Sequence, residues 1–263
     1  MIAYSTIAVD ERRDAIVVVT LNRPDKRNPI SPMTCGELCH ALERARDDAR
    51  ARVVVLTGAG KVFSAGGDLS AMAGGLLPGS ASGAIEPRSL VDLVTTMHDL
   101  GKPIVAMVNG HALAGGLGLV VAADIAIAAD DATFGTTEIR LGLWPMMITA
   151  ELCRNIGRKQ ALRLMLTGDR IGAAEAAKLG LITRAVAADA LVDETMAVAE
   201  KLAEKSPSTL ALGLRAFYGT QDMPHLQAMR HLEGKLAEVL ATEDAAEGIA
   251  AFLGRRQPVW KGR

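Results

Sequence analysis

The stretch Asn109-Gly110-His111-Ala112-Leu113-Ala114-Gly115-Gly116-Leu117-Gly118 has the composition of a loop that a reacting group can approach closely. An apolar run, Ile104 to Val108, precedes it and reads as a buried strand. A second run, Leu119 to Ala123, follows and reads as the body of a helix. A strand feeding a small-residue loop and then a helix leaves backbone N–H groups free at the helix start. Those groups, with the positive end of the helix dipole, suit a developing negative charge. The same residues would equally serve a helix packed tightly on a sheet, where small side chains only allow close approach.

A second stretch shares this layout. Val53 to Leu56 reads as a buried strand and opens into Thr57-Gly58-Ala59-Gly60-Lys61-Val62-Phe63-Ser64-Ala65-Gly66-Gly67-Asp68. If the two loops met, two N–H groups could converge on one oxygen and stabilise an enolate or a tetrahedral oxyanion. Losing one such donor typically costs ~3–4 kcal/mol of transition-state stabilisation. Gly58-Ala59-Gly60-Lys61 lacks the Gly-Lys-Ser/Thr ending of a phosphate loop, which excludes that reading. Asp68 fits either catalysis or a helix N-cap. Asp124 begins a strand and is read as structural. His98 and His111 could act as acid/base groups, since imidazole titrates near neutrality, although a satisfied or exposed ring is the commoner outcome. Cys35, Cys39 and His40 lie on a helical pattern with no second ligand pair, so no metal is expected.

The elements that would position these residues can be followed along the chain. Ala15 to Leu21 is a β-branched strand stopped by Asn22-Arg23-Pro24-Asp25. Ser31-Pro32 reads as an N-cap with proline at the first helical position, opening a helix to about Ala49. Residues 71–87 are rich in Gly, Ser, Ala and Pro and are expected to form a mobile surface loop. A helix over about 89–100 leads back to Ile104. Asp124 to Ala128 is a further strand, and Glu138 precedes a loop, Gly142-Leu143-Trp144-Pro145, around the start of another helix. Beyond Gly157 the pattern is mostly helical: Lys159 to Leu166, Ala173 to Leu179, a last strand over Leu181 to Val186, then Ala188 to Lys205, Leu210 to Tyr218, Leu226 to Leu240 and Asp244 to Phe252. The change near residue 205 suggests a core over 1–205 and a helical region over 206–263, too small for an independent core and expected to dock on the body or on another subunit.

With 263 residues, 49% of them apolar and 22% charged, the chain has a well-packed α/β composition. A formal net charge of −1 without blocks of like charge gives no basic footprint for nucleic acid. The N-terminal residues lack a basic start followed by a long apolar core, and no run is long enough to span a bilayer. Three cysteines, an odd number, point to a reducing compartment, and a cytoplasmic location is expected.

Taken in order, these motifs resemble the enoyl-CoA hydratase/isomerase superfamily, also called the crotonase family. The resemblance covers nearly the whole chain. It rests on Leu21-Asn22-Arg23-Pro24, Phe63-Ser64-Ala65-Gly66-Gly67-Asp68-Leu69, Asn109-Gly110 through Asp124, Phe134-Gly135, Glu138, Gly142-Leu143 and Leu166-Thr167-Gly168. It implies an α/β fold, a spiral of ββα units with a C-terminal helical region used in trimerisation, as a homotrimer or a dimer of trimers. It also implies an acyl-CoA thioester as ligand, with no cofactor beyond the coenzyme A of the substrate. By this match the thioester oxygen accepts hydrogen bonds from the N–H groups of Gly67 and Gly115. Ala65, Gly67, Asp68, Leu69 and Ser70 line the coenzyme A channel, and Lys26 is a candidate for its phosphates.

The chemistry then turns on carboxylates. The family's two-glutamate members hold one water between them; Glu138 falls on one of those positions and Gly118 on the other. A single carboxylate suffices to move a proton between the α and γ carbons, and some hydratase-like members share that pattern. An aspartate expected of dienoyl isomerases is replaced by Met146. Trp144, Met146 and Met147 are read as an apolar wall for the acyl chain. The expectation is therefore an enzyme that hydrates a 2-enoyl-CoA or shifts its double bond, with Glu138 as proton carrier. The alternative is a catalytically weak binder of coenzyme A thioesters.

Overall fold

The computed structural model describes residues 3–13, 15–73 and 85–263. The chain opens with β1 (Ile7–Arg13), β2 (Ile16–Leu21) and α1 (Pro32–Asp47), the helix capped by the Ser31 hydroxyl, which accepts from the Thr34 amide at 3.1 Å. Three units of two strands and helix follow. The first is β3 (Val53–Gly58), β4 (Val62–Ser64), α2 (Leu69–Ala73) and α3 (Leu90–His98). The second is β5 (Ile104–Val108), β6 (His111–Leu113) and α4 (Gly115–Ala122). The third is β7 (Ile125–Ala129), β8 (Thr133–Gly135), a 3-10 turn over Thr137–Leu141 and α5 (Met146–Asn155). The remainder is α6 (Arg158–Thr167), β9 (Ile171–Gly172), α7 (Ala173–Leu179), β10 (Arg184–Val186), α8 (Leu191–Ala203), α9 (Pro207–Thr220), α10 (His225–Leu240) and α11 (Glu243–Leu253).

The first strand of each unit joins a large sheet of order β1-β2-β3-β5-β7-β10, parallel except for β1. The second strand joins a small sheet of order β4-β6-β8-β9, parallel except for β9. Every residue of β3 is buried because helices cover both faces. The two-residue period assigns them: Val54 and Leu56 face the main core with α1 and α3, whereas Val53 and Val55 face Met196 and Ala199 of α8.

The long elements lie where periodicity and caps place them. β4, β6 and β9 are not legible in the sequence, because strands of two or three residues carry no detectable alternation. β1 is seven residues long, but its second half, Asp10-Glu11-Arg12-Arg13, is wholly charged and hides it. α4 starts at Gly115 rather than after Gly118, a start that glycine's low helix propensity conceals. Part of the stretch read as a mobile loop, residues 74–84, lies outside the described residues.

α9 docks on the body through Tyr218, whose hydroxyl donates to Asp124 Oδ1 at 2.6 Å and whose ring stacks on His98 at 4.1 Å. α11 is tied back by Asp244, which accepts from the Ser206 and Ser208 hydroxyls at 2.7 and 2.9 Å. α10 buries no residue and leaves Leu226, Met229, Leu236 and Leu240 exposed. Among the described residues no helix is long and apolar enough to cross a membrane.

Candidate active site

The small sheet organises the site. Gly67 lies just past the carboxyl end of β4, Gly115 just past that of β6, and Glu138 just past that of β8. Because these three strands are parallel neighbours, three positions far apart in sequence come to one edge. The carboxyl ends of parallel strands are the usual place for a ligand in α/β proteins.

The two glycine loops do converge. A Cβ at Gly115 would stand 3.7 Å from the backbone nitrogen of Gly67. Gly115 is the first residue of α4, so its N–H has no acceptor within the helix. Gly67 forms a parallel bridge with Ile30, in which the Ile30 amide donates to Gly66 O at 2.8 Å and the Asp68 amide to Ile30 O at 2.9 Å. That ladder turns the N–H of Gly67 itself to the opposite side. Gly67 and Gly115 are only half-buried, while Gly66, Ala114 and Gly116 beside them are buried, so both donors open on the same space.

Close packing holds the loops in place. Gly66 has φ +105, and a Cβ there would lie 2.6 Å from the Ala114 Cβ. A Cβ at Gly116 would lie 2.6 Å from the Ser64 Cβ and 2.8 Å from its carbonyl oxygen. Ala114 takes φ 49, rare for a residue with a side chain, at the turn that aims the Gly115 N–H. Sequence reasoning missed the brace behind these loops. Asn28, also at positive φ, accepts from the Arg23 amide at 2.9 Å and donates to Ala59 O and Val62 O at 2.9 and 2.8 Å. The Ser64 hydroxyl donates to Asn28 O at 2.7 Å, and the Ala65 amide to Arg27 O at 2.9 Å. Asn28 gives one weak signal in the sequence, being a residue that tolerates left-handed turns.

Asp68 serves the loop. It caps α2 by accepting from the Ser70 and Ala71 amides at 3.2 and 3.3 Å, and it pairs with Arg23 at 2.9 Å. The Ser70 hydroxyl, then Arg23 and the Ala71 amide, hold its carboxyl down at about 2. Asp68→Ala is expected to cost about 1–2 kcal/mol, the worth of a lost cap. A depressed folded pKa adds stability that is present above the ordinary value of 3.8 and lost as pH falls through about 2. Urea unfolding midpoints should therefore separate variant from parent most near neutral pH and less in acid.

Of the other candidates, Ala65, Leu69, Ser70 and Lys26 are exposed, and Trp144 is half-buried against the core. Met146 and Met147 are exposed. Glu138 sits in the 3-10 turn, closed by Gly142 in the left-handed region and by the Leu143 amide, which donates to Glu138 O at 3.1 Å. Its side chain is half-buried, and Oε2 is buried without a hydrogen-bond partner among the described residues. Burial pushes its carboxyl above the ordinary glutamate value. A carboxyl that is buried, unpaired and raised is the state expected of a group that takes and returns a proton.

His98, His111 and Asp124 are engaged by other partners. His111 Nδ1 is 2.9 Å from the Thr133 hydroxyl, and His98 stacks on Tyr218 with Nε2 3.6 Å from Glu151. Asp124 accepts from the Ile104 amide at 2.7 Å as well as from Tyr218. Cys35 and Cys39 are buried, and burial pushes the Cys35 thiol up to about 12, which makes it inert. Among the described residues no group of three His, Cys, Asp or Glu side chains could hold a metal.

Comparison with known proteins identifies the family. Residues 11–263 match the family model described as Enoyl-CoA hydratase/isomerase. The chain is 37% identical over 258 residues to a carnitinyl-CoA dehydratase of Escherichia coli K12, covering 96% of this chain and 97% of that one. It is 34% identical to a probable mitochondrial enoyl-CoA hydratase of Dictyostelium discoideum, covering 96% of this chain and 90% of that one. Its fold is similar to the crystal structure of an enoyl-CoA hydratase of Mycobacterium smegmatis, with a TM-score of 0.88 and 32% identity over 97% of this chain and 99% of that one. The ordered motifs, the spiral of ββα units and these matches together make the chain an enzyme that belongs to the enoyl-CoA hydratase/isomerase family.

Proposed function

We propose that this enzyme moves a proton at the α-carbon of an enoyl-CoA thioester, through an enolate whose oxygen is held by the N–H groups of Gly67 and Gly115. The observation that carries the reading is the 3.7 Å approach of the Gly67 nitrogen to the Cβ position of Gly115. On a 3-enoyl thioester, the Glu138 carboxylate takes a proton from the α-carbon. The electron pair of that C–H bond moves to the thioester oxygen, giving a dienolate stabilised by two donors. The protonated Glu138 then returns its proton to carbon, and the electron pair returns from oxygen to restore the carbonyl. The exposed residues Ala65, Leu69 and Ser70, with Asp68 fixing their loop and Lys26 beyond them, are the reading's coenzyme A contacts. Trp144 is its acyl-chain wall.

Water addition to a 2-enoyl thioester is the second reading, favoured by relatives named as hydratases and a dehydratase. Self-association in threes fits the exposed apolar residues of α10, and sedimentation would measure it. The test of the site is a panel of 2- and 3-enoyl-CoA thioesters in deuterated water, followed by NMR and mass. Turnover or α-carbon deuteration that is lost in Glu138→Gln is the expected result. Thioester binding with neither turnover nor exchange would instead identify a binder and overturn the reading.

A further inference from the structure

The space in front of Gly118 is not open. A Cβ built on Gly118 would meet Ile148 Cγ1 at 3.3 Å, Cγ2 at 3.7 Å and Cδ1 at 3.9 Å. Gly118 and Ile148 are both buried, on the first turn of α4 and near the start of α5. Gly118 lies three residues after Gly115, so the two share one face of the helix. The direction a side chain at 118 would take therefore adjoins the space beside the Gly115 donor. Three aliphatic carbons fill it, and a wall of that kind offers a water no hydrogen bond.

We propose that Ile148 is a specificity-determining residue that directs the reaction toward double-bond migration. By filling the space in front of Gly118, it keeps that wall of the site dry. The proton that Glu138 takes from the α-carbon then goes to the γ-carbon, and the double bond moves from the β–γ to the α–β position with no atom gained or lost. Water addition would need a water whose oxygen bonds to the β-carbon while its proton reaches the α-carbon, and this wall neither holds nor orients one. The substrate class that follows is a 3-enoyl-CoA thioester with an aliphatic γ-carbon. This inference rests on the proton-transfer reading of the site.

The pairing also constrains position 118. Gly118→Ala gains helix propensity but brings its Cβ to 3.3 Å from Ile148 Cγ1, so it should be better tolerated in an Ile148→Ala background, which removes that carbon.

The experiment compares the parent with Ile148→Val, Ile148→Ala and Ile148→Ser on a 2-enoyl- and a 3-enoyl-CoA of equal chain length. Products are scored by mass as hydrated or isomerised, with thermal unfolding recorded for each protein. The parent should isomerise predominantly. The ratio of hydrated to isomerised product should rise in steps from Val to Ala to Ser, by about tenfold or more overall, the scale on which methylene-sized pocket changes discriminate substrates. Ile148→Val loses one methyl group and keeps the test valid if the smaller side chains unfold the protein. A parent that mainly adds water, or folded variants with an unchanged product ratio, would overturn the inference while leaving the role of Glu138 intact. Full turnover in Glu138→Gln would instead overturn the underlying reading.

Discussion

Glu138→Gln is expected to lower kcat by about 10²–10⁴-fold, the usual worth of a positioned acid or base. The amide keeps the shape of the carboxyl but cannot carry the proton. kcat/KM should fall with kcat while thioester affinity changes little, because the lost interaction belongs to the transition state. In the parent, the acid limb of the pH–rate profile should lie above the ordinary glutamate range, since burial raises this carboxyl and the base must be ionised to act. That limb should vanish with the variant's residual activity. Stability should move in the opposite direction. A carboxyl whose folded pKa is raised contributes stability below its unfolded pKa, and that contribution is lost as pH rises through the folded value. Near neutral pH the parent therefore holds a charge in a half-buried site with an unpaired oxygen, and glutamine removes that charge. The melting temperature of Glu138→Gln should exceed the parent's near neutral pH, and the gain should fade in acid. Higher stability with lower turnover would separate a functional carboxyl from a structural one.

Gly66→Ala has the second-largest expected effect, although residue 66 donates nothing to the substrate. Its φ of +105 disfavours any side chain, and a methyl there would stand 2.6 Å from the Ala114 Cβ. Relief requires the loop before Gly67 and the loop before Gly115 to move apart. Overpacking of this kind costs about 1–3 kcal/mol of stability. Displacing one donor from the thioester oxygen costs about 10²–10³ in kcat. Steady-state kinetics beside thermal melts would measure both. A variant with a lowered melting temperature and unchanged kcat would show that the spacing of the two loops does not matter to the chemistry.

The long elements, their caps and the glycine loops can be read in the sequence because each is signalled locally. The Ser31-Pro32 cap, the β-branched run Ile16–Leu21 and the amphipathic helix Leu191–Ala203 lie where pattern and punctuation put them. The small sheet could not be read, and the site depends on it. Strands of three residues such as Val62–Ser64 and His111–Leu113 are set by pairing with distant partners, and no local period marks them. Asp68 illustrates the same limit. Its side chain suits a catalytic carboxylate or a cap, and the contacts with Arg23, Ser70 and Ala71 decide for the cap.

The amino-acid sequence by itself determined the family and the two small-residue loops, and it singled out Glu138 and Gly118 as the positions on which the proposed chemistry turns. It could do so because residue type and spacing along a chain are local facts, and the chemistry of an oxyanion site limits which residues can serve. Tertiary structure alone decided that Gly67 and Gly115 face one space, that Glu138 Oε2 is buried without a hydrogen-bond partner among the described residues, and that Ile148 fills the place in front of Gly118. Each of these depends on the distance between segments remote in the chain, and packing between two sheets and their helices sets those distances.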